Sequence, residues 1–409
     1  MKEHPISFDD TQIAFAHHSD KELKKAYRLF SLMNNSWLVN LGTRFTPWMI
    51  RSGLPVKDAI RKTIFKQFVG GETLNETAAI AEKLSQYNVQ VILDYGAEGK
   101  EGEQNFDRAC DEFIRVIEYA ATQPNIPYMS IKVTGFARFS LLEKLDALTH
   151  SSEETSLIKR YNYALQQLSL EELNEWNRVY LRMRRISDTA DKKNIGVLVD
   201  AEESWIQDPV DALTMLMMDE YNKNKLVLYN TVQFYRHDRL PFLLKMYEAA
   251  EERNFILGVK LVRGAYMEKE RRRAEERGYP SPIQPDKNAT DKDFDEAVQF
   301  CIQNIDRIGL IVATHNEESN LLATQLLKEK DLPFNHPHIH FSQLYGMSDN
   351  ITYNLAKAGC RVSKYLPFGP IKDVVPYLMR RAQENTSVKG QSGRELSLIK
   401  KELKRRKSL

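Results

Sequence analysis

The chain has 409 residues, 42% of them hydrophobic and 28% charged, with 58 Lys and Arg against 56 Asp and Glu for a formal net charge of +2. Such a chain buries a sizeable core, which excludes small, disordered and collagen-like classes, and its charge balance gives no argument for nucleic acid as a partner. Cys110, Cys301 and Cys360 are odd in number and far apart, which fits a reducing compartment better than a disulfide framework or a clustered zinc site.

The opening MKEHPISFDDTQIAF contains acids and no apolar signal core, and no long uninterrupted apolar run follows, so a soluble or membrane-peripheral chain is expected. From Asp9 to Tyr87 apolar residues recur at spacings of three and four, predicting helices over 23–45, 56–71 and 74–88. Gly70 and Gly71 stop the second before Asn75 opens the third. Short apolar runs then recur at 89–96, 128–135, 194–202, 226–233, 255–264, 308–316, 338–344 and 361–369, separated by helix-like segments. The connection 136–193 is long and reads as a multihelix insertion.

Eight β-like runs alternating with helices predict an α/β fold, a (βα)8 TIM barrel with an N-terminal helical arm and a C-terminal helix over the barrel mouth. The expected boundaries are an arm at 1–88, the barrel with its insertion and final helix at 89–393, and a basic tail at 394–409. An open doubly wound sheet competes, but the first βα crossing lacks GxGxxG and no GxxxxGK[ST] occurs.

Barrel chemistry sits at the C-terminal ends of strands. The polar residues there are Asp94, Lys132, Asp200 with Glu202 and Glu203, Gln233, Lys260, Arg263 and Tyr266, then Thr314, His315, Asn316, Gln343 and Tyr365. DAEES also fits a helix cap, and THN a turn. Lys132 interrupts an apolar strand, where its ammonium needs a carboxylate from Asp94 or Asp200. Gly264 permits the close approach of a flat ligand, whereas the run from Glu270 to Glu276 reads as a solvated helix face.

In the helix after the last run, Tyr377, Arg380, Arg381 and Glu384 stand at offsets 0, 3, 4 and 7 and share one face. Two adjacent arginines grip a planar carboxylate, with Glu384 bracing Arg380; an external salt-bridge ladder is the alternative. No metal is expected, since HExxH and compact Cys/His sets are missing, and GxSxG is absent too. The tail places Lys400, Lys401, Lys404, Arg405, Arg406 and Lys407 after Leu396, Leu398 and Ile399. That pattern suits a solvated helix end or an anionic membrane surface.

LDYGAEG (93–99), SIKVTG (130–135), VDAEES (199–204), TVQFY (231–235), the stretch 260–291 beginning KLVRGAYMEKE, ATHNEES (313–319), FSQLYGM (341–347) and YLPFGPIKDVVPYLMRRAQENTS (365–387) together resemble the proline dehydrogenase family, in its single-function, mitochondrial-type branch. The resemblance implies a distorted (βα)8 barrel that holds FAD and oxidises L-proline to Δ1-pyrroline-5-carboxylate, moving a hydride from C5 to flavin N5. It makes Arg380 and Arg381 the carboxylate clamp with Lys132 as a third contact, and makes Asp200 the acidic partner that orients Lys132 or a neighbouring arginine. Tyr365, Tyr377 and Leu344 then wall the substrate ring, Glu384 braces the arginines, and Tyr266 lies close to the pocket.

For FAD the same resemblance implies Gln233 at the flavin ring, and Lys260, Val262, Gly264 and Ala265 along the isoalloxazine. Lys287, Thr314, His315 and Asn316 serve the ribose, pyrophosphate and adenine. Bifunctional relatives carry arginine where this chain has Lys260. Tyr365 favours proline over 4-hydroxyproline, because a phenol crowds C4; hydroxyproline dehydrogenase is the near alternative and a non-catalytic flavin-binding barrel the distant one. Further implied are a quinone as electron acceptor, peripheral association with the inner membrane from a bacterial cytoplasm, and a separate protein for the downstream semialdehyde dehydrogenase step, whose domain is expected to be missing from this chain.

Overall fold

Eight parallel strands, β1 Gln90–Tyr95, β2 Tyr128–Ile131, β3 Gly196–Val199, β4 Leu228–Gln233, β5 Leu257–Val262, β6 Ile308–Ala313, β7 Ile339–Leu344 and β8 Val362–Phe368, close in sequence order into one barrel. The computed structural model describes residues 6–33, 60–96, 101–387 and 391–407, and among these the side chains of 382–387, 391 and 392 are not described. Each strand lies within one of the eight apolar runs. Parallel strands are covered on both faces and therefore read as continuous Val, Ile and Leu rather than alternating; β2 and β3 are buried at every position. Gly258 in β5 is required by the close approach of the Leu228 carbonyl in β4, a space that a Cβ would fill.

The chain forms two compact units, one of residues 1–96, 315–321 and 341–409, the other of 97–314 and 322–340. In the first, β1 pairs with β8 and β8 with β7. The helix Asp20–Met33 covers the start of the first expected helix, and the rest of 23–45 falls outside the described residues. Of 56–71, the described part is a π-helical turn, Arg61–Phe65, running into Lys66–Phe68. The third helix is Leu74–Ser85, and its cap is Thr73 rather than Asn75: Thr73 has the extended backbone of a cap, and its hydroxyl accepts the Glu76 N–H.

The last helix, Gln391–Lys407, buries Leu398 and Ile399 in an apolar cluster with Phe15, Leu23, Phe30, Phe68 and Leu378. Its arginines bond within the chain. Arg394 reaches Glu317 at 2.8 Å and Asp9 at 2.7 Å, while Arg406 reaches Asp20 at 2.9 Å and the carbonyls of Phe15 and His18 at 2.8 Å. The segment read from sequence as a basic tail is thus a packed element with Lys400, Lys404 and Lys407 exposed.

In the second unit β2 to β6 pair in order. The long connection is helical, as expected, with Phe139–His150, Leu157–Gln166 and Leu170–Lys193. Ser169 and Glu172 form a reciprocal capping box on the third, and Asn194 ends it in the left-handed conformation. Trp176 is buried and donates to the Tyr161 hydroxyl at 2.6 Å. Among the described residues no helix is long and apolar enough to cross a membrane.

Burial of Leu398 makes the last helix part of the core, so Leu398→Ala should lower unfolding stability by about 2–5 kcal/mol. Leu170→Ala, at a position 75% exposed, should change it by less than about 0.5 kcal/mol. Urea unfolding midpoints of the two variants check this; equal midpoints would contradict the packing described.

Candidate active site

Within the second unit the predicted polar residues gather on Asp200, the residue directly after β3. Ser130 Oγ donates to Asp200 Oδ1 at 2.7 Å, Lys132 Nζ approaches Oδ2 at 3.1 Å, and the Lys260 ammonium bonds to Oδ1. Lys260 comes from β5, with β4 between it and β3, so it meets Asp200 inside the barrel, where alternate strands supply one layer of side chains. Burial pushes the Asp200 carboxyl up, but the Lys260 and Lys132 ammonium groups outweigh it and hold the carboxyl below its ordinary value of 3.8. Lys132 therefore has the carboxylate it needs, from Asp200, and the second cation on that carboxylate is Lys260 rather than an arginine.

The ends of β4 to β6 carry the other predicted residues of this unit. Gln233, the last residue of β4, is buried and donates to the Glu202 carbonyl at 3.0 Å. Arg263 bonds to Asp291 at 2.7 Å and to Thr314 Oγ1 at 2.6 Å, and Asp291 also pairs with exposed Lys287. Val262 and Tyr266 are half-buried, while Gly264 and Ala265 are exposed. Gly264 has φ of +133°, and a Cβ there would lie 2.5 Å from the Tyr235 ring. The flat group that requires this glycine is the chain's own Tyr235.

Glu203 of DAEES stands at the N-cap of the short helix Ser204–Ile206, but its side chain makes no capping hydrogen bond. Glu202 accepts from Thr134 Oγ1 at 2.6 Å, and Glu203 pairs with Lys269. The run from Glu270 to Glu276 is not a uniformly solvated face either. Glu270 is fully buried and accepts from the Ser204 backbone at 2.6 Å and its hydroxyl at 2.7 Å. Helical periodicity aims one residue in each turn inward, and here that residue is an acid with two donors waiting.

In the first unit Leu344 and Tyr365 stand side by side as register partners of β7 and β8. The helix Ile371–Ser387 carries Tyr377, Arg380 and Arg381. Arg381 is 5% exposed and lies 5.0 Å over the Tyr377 ring, a cation–π contact that orients the guanidinium. Arg380 is half-buried, and the side chain of Glu384 falls outside the described residues. His315 Nδ1 lies 2.8 Å from Ser348 Oγ, and Asn316 Oδ1 accepts the Ser319 N–H at 3.1 Å, a local side-chain bond of the kind the turn reading of THN implies.

Asp349 is a centre that the sequence reading missed. Lys364 of β8 lies 2.7 Å from its Oδ1, and His17 and His18 lie 3.3 and 3.1 Å from its Oδ2. Burial pushes the Asp349 carboxyl up, and Lys364 with the two histidines brings it well below the carboxylate range. Burial also lowers His17 to about 4, so that ring is neutral. Among the described residues this is the one group able to offer three ligand atoms to an ion, all within 4.8 Å, although the Lys364 ammonium already supplies positive charge there. Lys364 interrupts an apolar strand as Lys132 does, and that signal could have found it.

Residues 77–394 match the family model described as "Proline dehydrogenase". The chain is 32% identical to mitochondrial proline dehydrogenase 1 of Dictyostelium discoideum, over 97% of this chain and 74% of that one. It is 33% identical to the hydroxyproline dehydrogenase of Xenopus laevis, over 95% and 83%. Among solved structures, proline utilization A (PutA) from Bdellovibrio bacteriovorus is similar in fold with a TM-score of 0.68 at 19% identity, over 94% of this chain and 39% of that one. This chain thus spans about two fifths of the solved PutA chain.

Asp200→Asn removes the charge between two lysines and should lower stability at pH 7 by about 3–5 kcal/mol. A depressed carboxylate stabilises the fold fully above its unfolded-state value, so the wild-type advantage should hold above about pH 4 and shrink as pH falls further. Unfolding curves against pH measure both, and an unchanged midpoint at pH 7 would contradict the pairing.

Proposed function

The chain belongs to the proline dehydrogenase family, and from that premise we propose that it oxidises L-proline to Δ1-pyrroline-5-carboxylate with bound FAD and a quinone as the final acceptor. Within the family we assign it to the single-function, mitochondrial-type branch, acting from a bacterial cytoplasm at the inner membrane. The observation that carries the reading is Arg381, a buried guanidinium stacked on Tyr377 with Arg380 next to it in the chain. Adjacent arginines on a rigid helix suit the bidentate recognition of a small carboxylate.

The residues present fit FAD by the chemistry of their donors. Arg263, just after β5, bonds to the Thr314 hydroxyl after β6 and to Asp291, which also pairs with Lys287, a set of cations and a hydroxyl suited to pyrophosphate and ribose. Gln233, Lys260, Val262, Gly264 and Ala265 would hold the ring system, with His315 and Asn316 completing the cofactor contacts. When bound, FAD supplies at its N5 the acceptor for the C5 hydride of proline.

The chain's own work is to bind and orient. Arg380 and Arg381 fix the carboxylate, Lys132 adds a third contact, and Asp200 keeps Lys132 aimed. Tyr365, Tyr377 and Leu344 wall the ring, Tyr266 closes in beside it, and Glu384 braces the clamp. Fixing the carboxylate sets the position of C5, which is how orientation lowers a transfer barrier. The exposed Lys400, Lys404 and Lys407 supply charge for an anionic membrane surface near the quinone, and the Δ1-pyrroline-5-carboxylate formed adds water and opens to a semialdehyde, the substrate of a separate dehydrogenase.

Arg381→Ala should lower kcat/KM for L-proline by about 2–4 kcal/mol, or roughly 30- to 900-fold. An unchanged kcat/KM would remove the clamp. The Tyr365 phenol beside C4 predicts that kcat/KM for L-proline exceeds that for 4-hydroxy-L-proline by about tenfold or more, and a reversed ratio would favour hydroxyproline dehydrogenase.

A further inference from the structure

We propose that Ser348 and Glu395 are positioning residues for His315, through which the last helix holds that imidazole in its cofactor-binding orientation. This rests on the reading that His315 contacts FAD. His315 Nδ1 meets Ser348 Oγ at 2.8 Å. A hydrogen bond to one ring nitrogen sets the direction of the imidazole plane, so a hydroxyl held at Nδ1 fixes the way the ring faces the ligand.

Ser348 is itself held from both sides. It has left-handed backbone angles, φ 52° and ψ 44°, at the start of the helix Asp349–Lys357, a conformation that is unfavourable for a serine unless its surroundings hold it. Its N–H donates to the Glu395 carboxylate. Its carbonyl accepts the N–H groups of Ile351 and Thr352, both at 3.1 Å, and the Thr352 hydroxyl at 3.3 Å. With both flanking peptides fixed, the Cα–Cβ bond has one direction, and the contact with His315 selects the rotamer of the hydroxyl.

Glu395 reaches this turn from the last helix, 47 residues along the chain. Burial pushes its carboxyl up to about 7, helped by the charge of Asp349 and opposed by the Ser348 N–H and by Lys364. Glu317 also faces it, and the His17 and His18 rings lie on Asp349 just beyond. Burying an acid in such company is costly. An apolar residue would pack the helix without that cost but would leave the Ser348 N–H without its acceptor.

The neighbour of Glu395 makes a second attachment to the same region. Arg394 bonds to Glu317 through Nε at 2.8 Å and Nη2 at 3.0 Å, and Glu317 lies two residues after His315. Asn350 Nδ2 donates to the same Glu317 carboxylate at 2.9 Å. Two consecutive residues of the last helix therefore anchor both segments that meet at His315, while Leu398 and Ile399 hold the helix in the core.

The test is the rate of flavin release on dilution of the full-chain holoenzyme, followed by flavin fluorescence, in a double-mutant cycle. Ser348→Gly removes the hydroxyl and suits the positive φ. It should speed release about three- to tenfold, His315→Ala should speed it at least as much, and the double variant should be no faster than His315→Ala alone. Glu395→Ala should behave like Ser348→Gly, with Glu395→Gln, which keeps an acceptor oxygen, close to wild type. Additive effects of Ser348→Gly and His315→Ala, or no effect of Ser348→Gly, would overturn the proposal. Unchanged release from His315→Ala would overturn the cofactor reading of His315, and the positioning role with it.

Discussion

A carboxylate taken out of water inside a strand barrel stays ionised only if cations accompany it, and the interior of the second unit is organised by that requirement at Asp200. Lys132 follows β2, Asp200 follows β3 and Lys260 lies in β5, and one carboxylate joins all three. Side chains alternate along a strand, so slipping β5 by one residue would turn Lys260 away from the barrel interior and leave Asp200 short of a partner. Apolar burial drives the collapse of such a barrel without specifying register. The three charges supply the direction that burial lacks, and they lie at the strand ends where barrel enzymes hold their ligands.

The same physics recurs in the first unit with different elements. Asp349 gathers Lys364 of β8 and the adjacent histidines His17 and His18, and Glu395 of the last helix completes the surroundings. Four segments far apart in sequence are joined at one buried charge. His17 stacks on Tyr353 with ring centroids 4.0 Å apart, so an imidazole kept neutral by burial serves as packing surface and hydrogen-bonding group at once. The last helix gains its energy from Leu398 and Ile399 and its placement from Arg394, Glu395 and Arg406. That arrangement lets a segment outside the barrel strands bear on His315.

How much of this was legible in the sequence depends on the range of the force concerned. Strands covered on both faces must be apolar throughout, which is why all eight runs were visible and why Lys132 stood out among them. The helical character of 136–193 was visible for the same local reason. Contacts that only the fold creates were not. Lys364 interrupts an apolar strand as plainly as Lys132 does, but its partner Asp349 opens a helix in a stretch whose sequence carries no special mark. Glu270 looked like part of a solvated charge run because composition does not say which residue of a turn faces inward. The sequence marks Gly264 for the close approach of a flat ligand, and the ring that lies against it is Tyr235. The basic tail looks like a surface feature because the partners of its arginines are remote in sequence, Glu317 at 77 residues and Asp9 and Asp20 at more than 380.

The roles proposed for the individual site residues converge on one claim, that a bound flavin accepts electrons from L-proline. The visible spectrum of the purified holo-protein under anaerobic conditions, before and after addition of L-proline, tests that claim most directly. The account predicts loss of the oxidised-flavin bands on addition of L-proline and their return when an acceptor quinone is added. A flavin spectrum that persists unchanged in excess L-proline, with Arg380 and Arg381 intact, would contradict it.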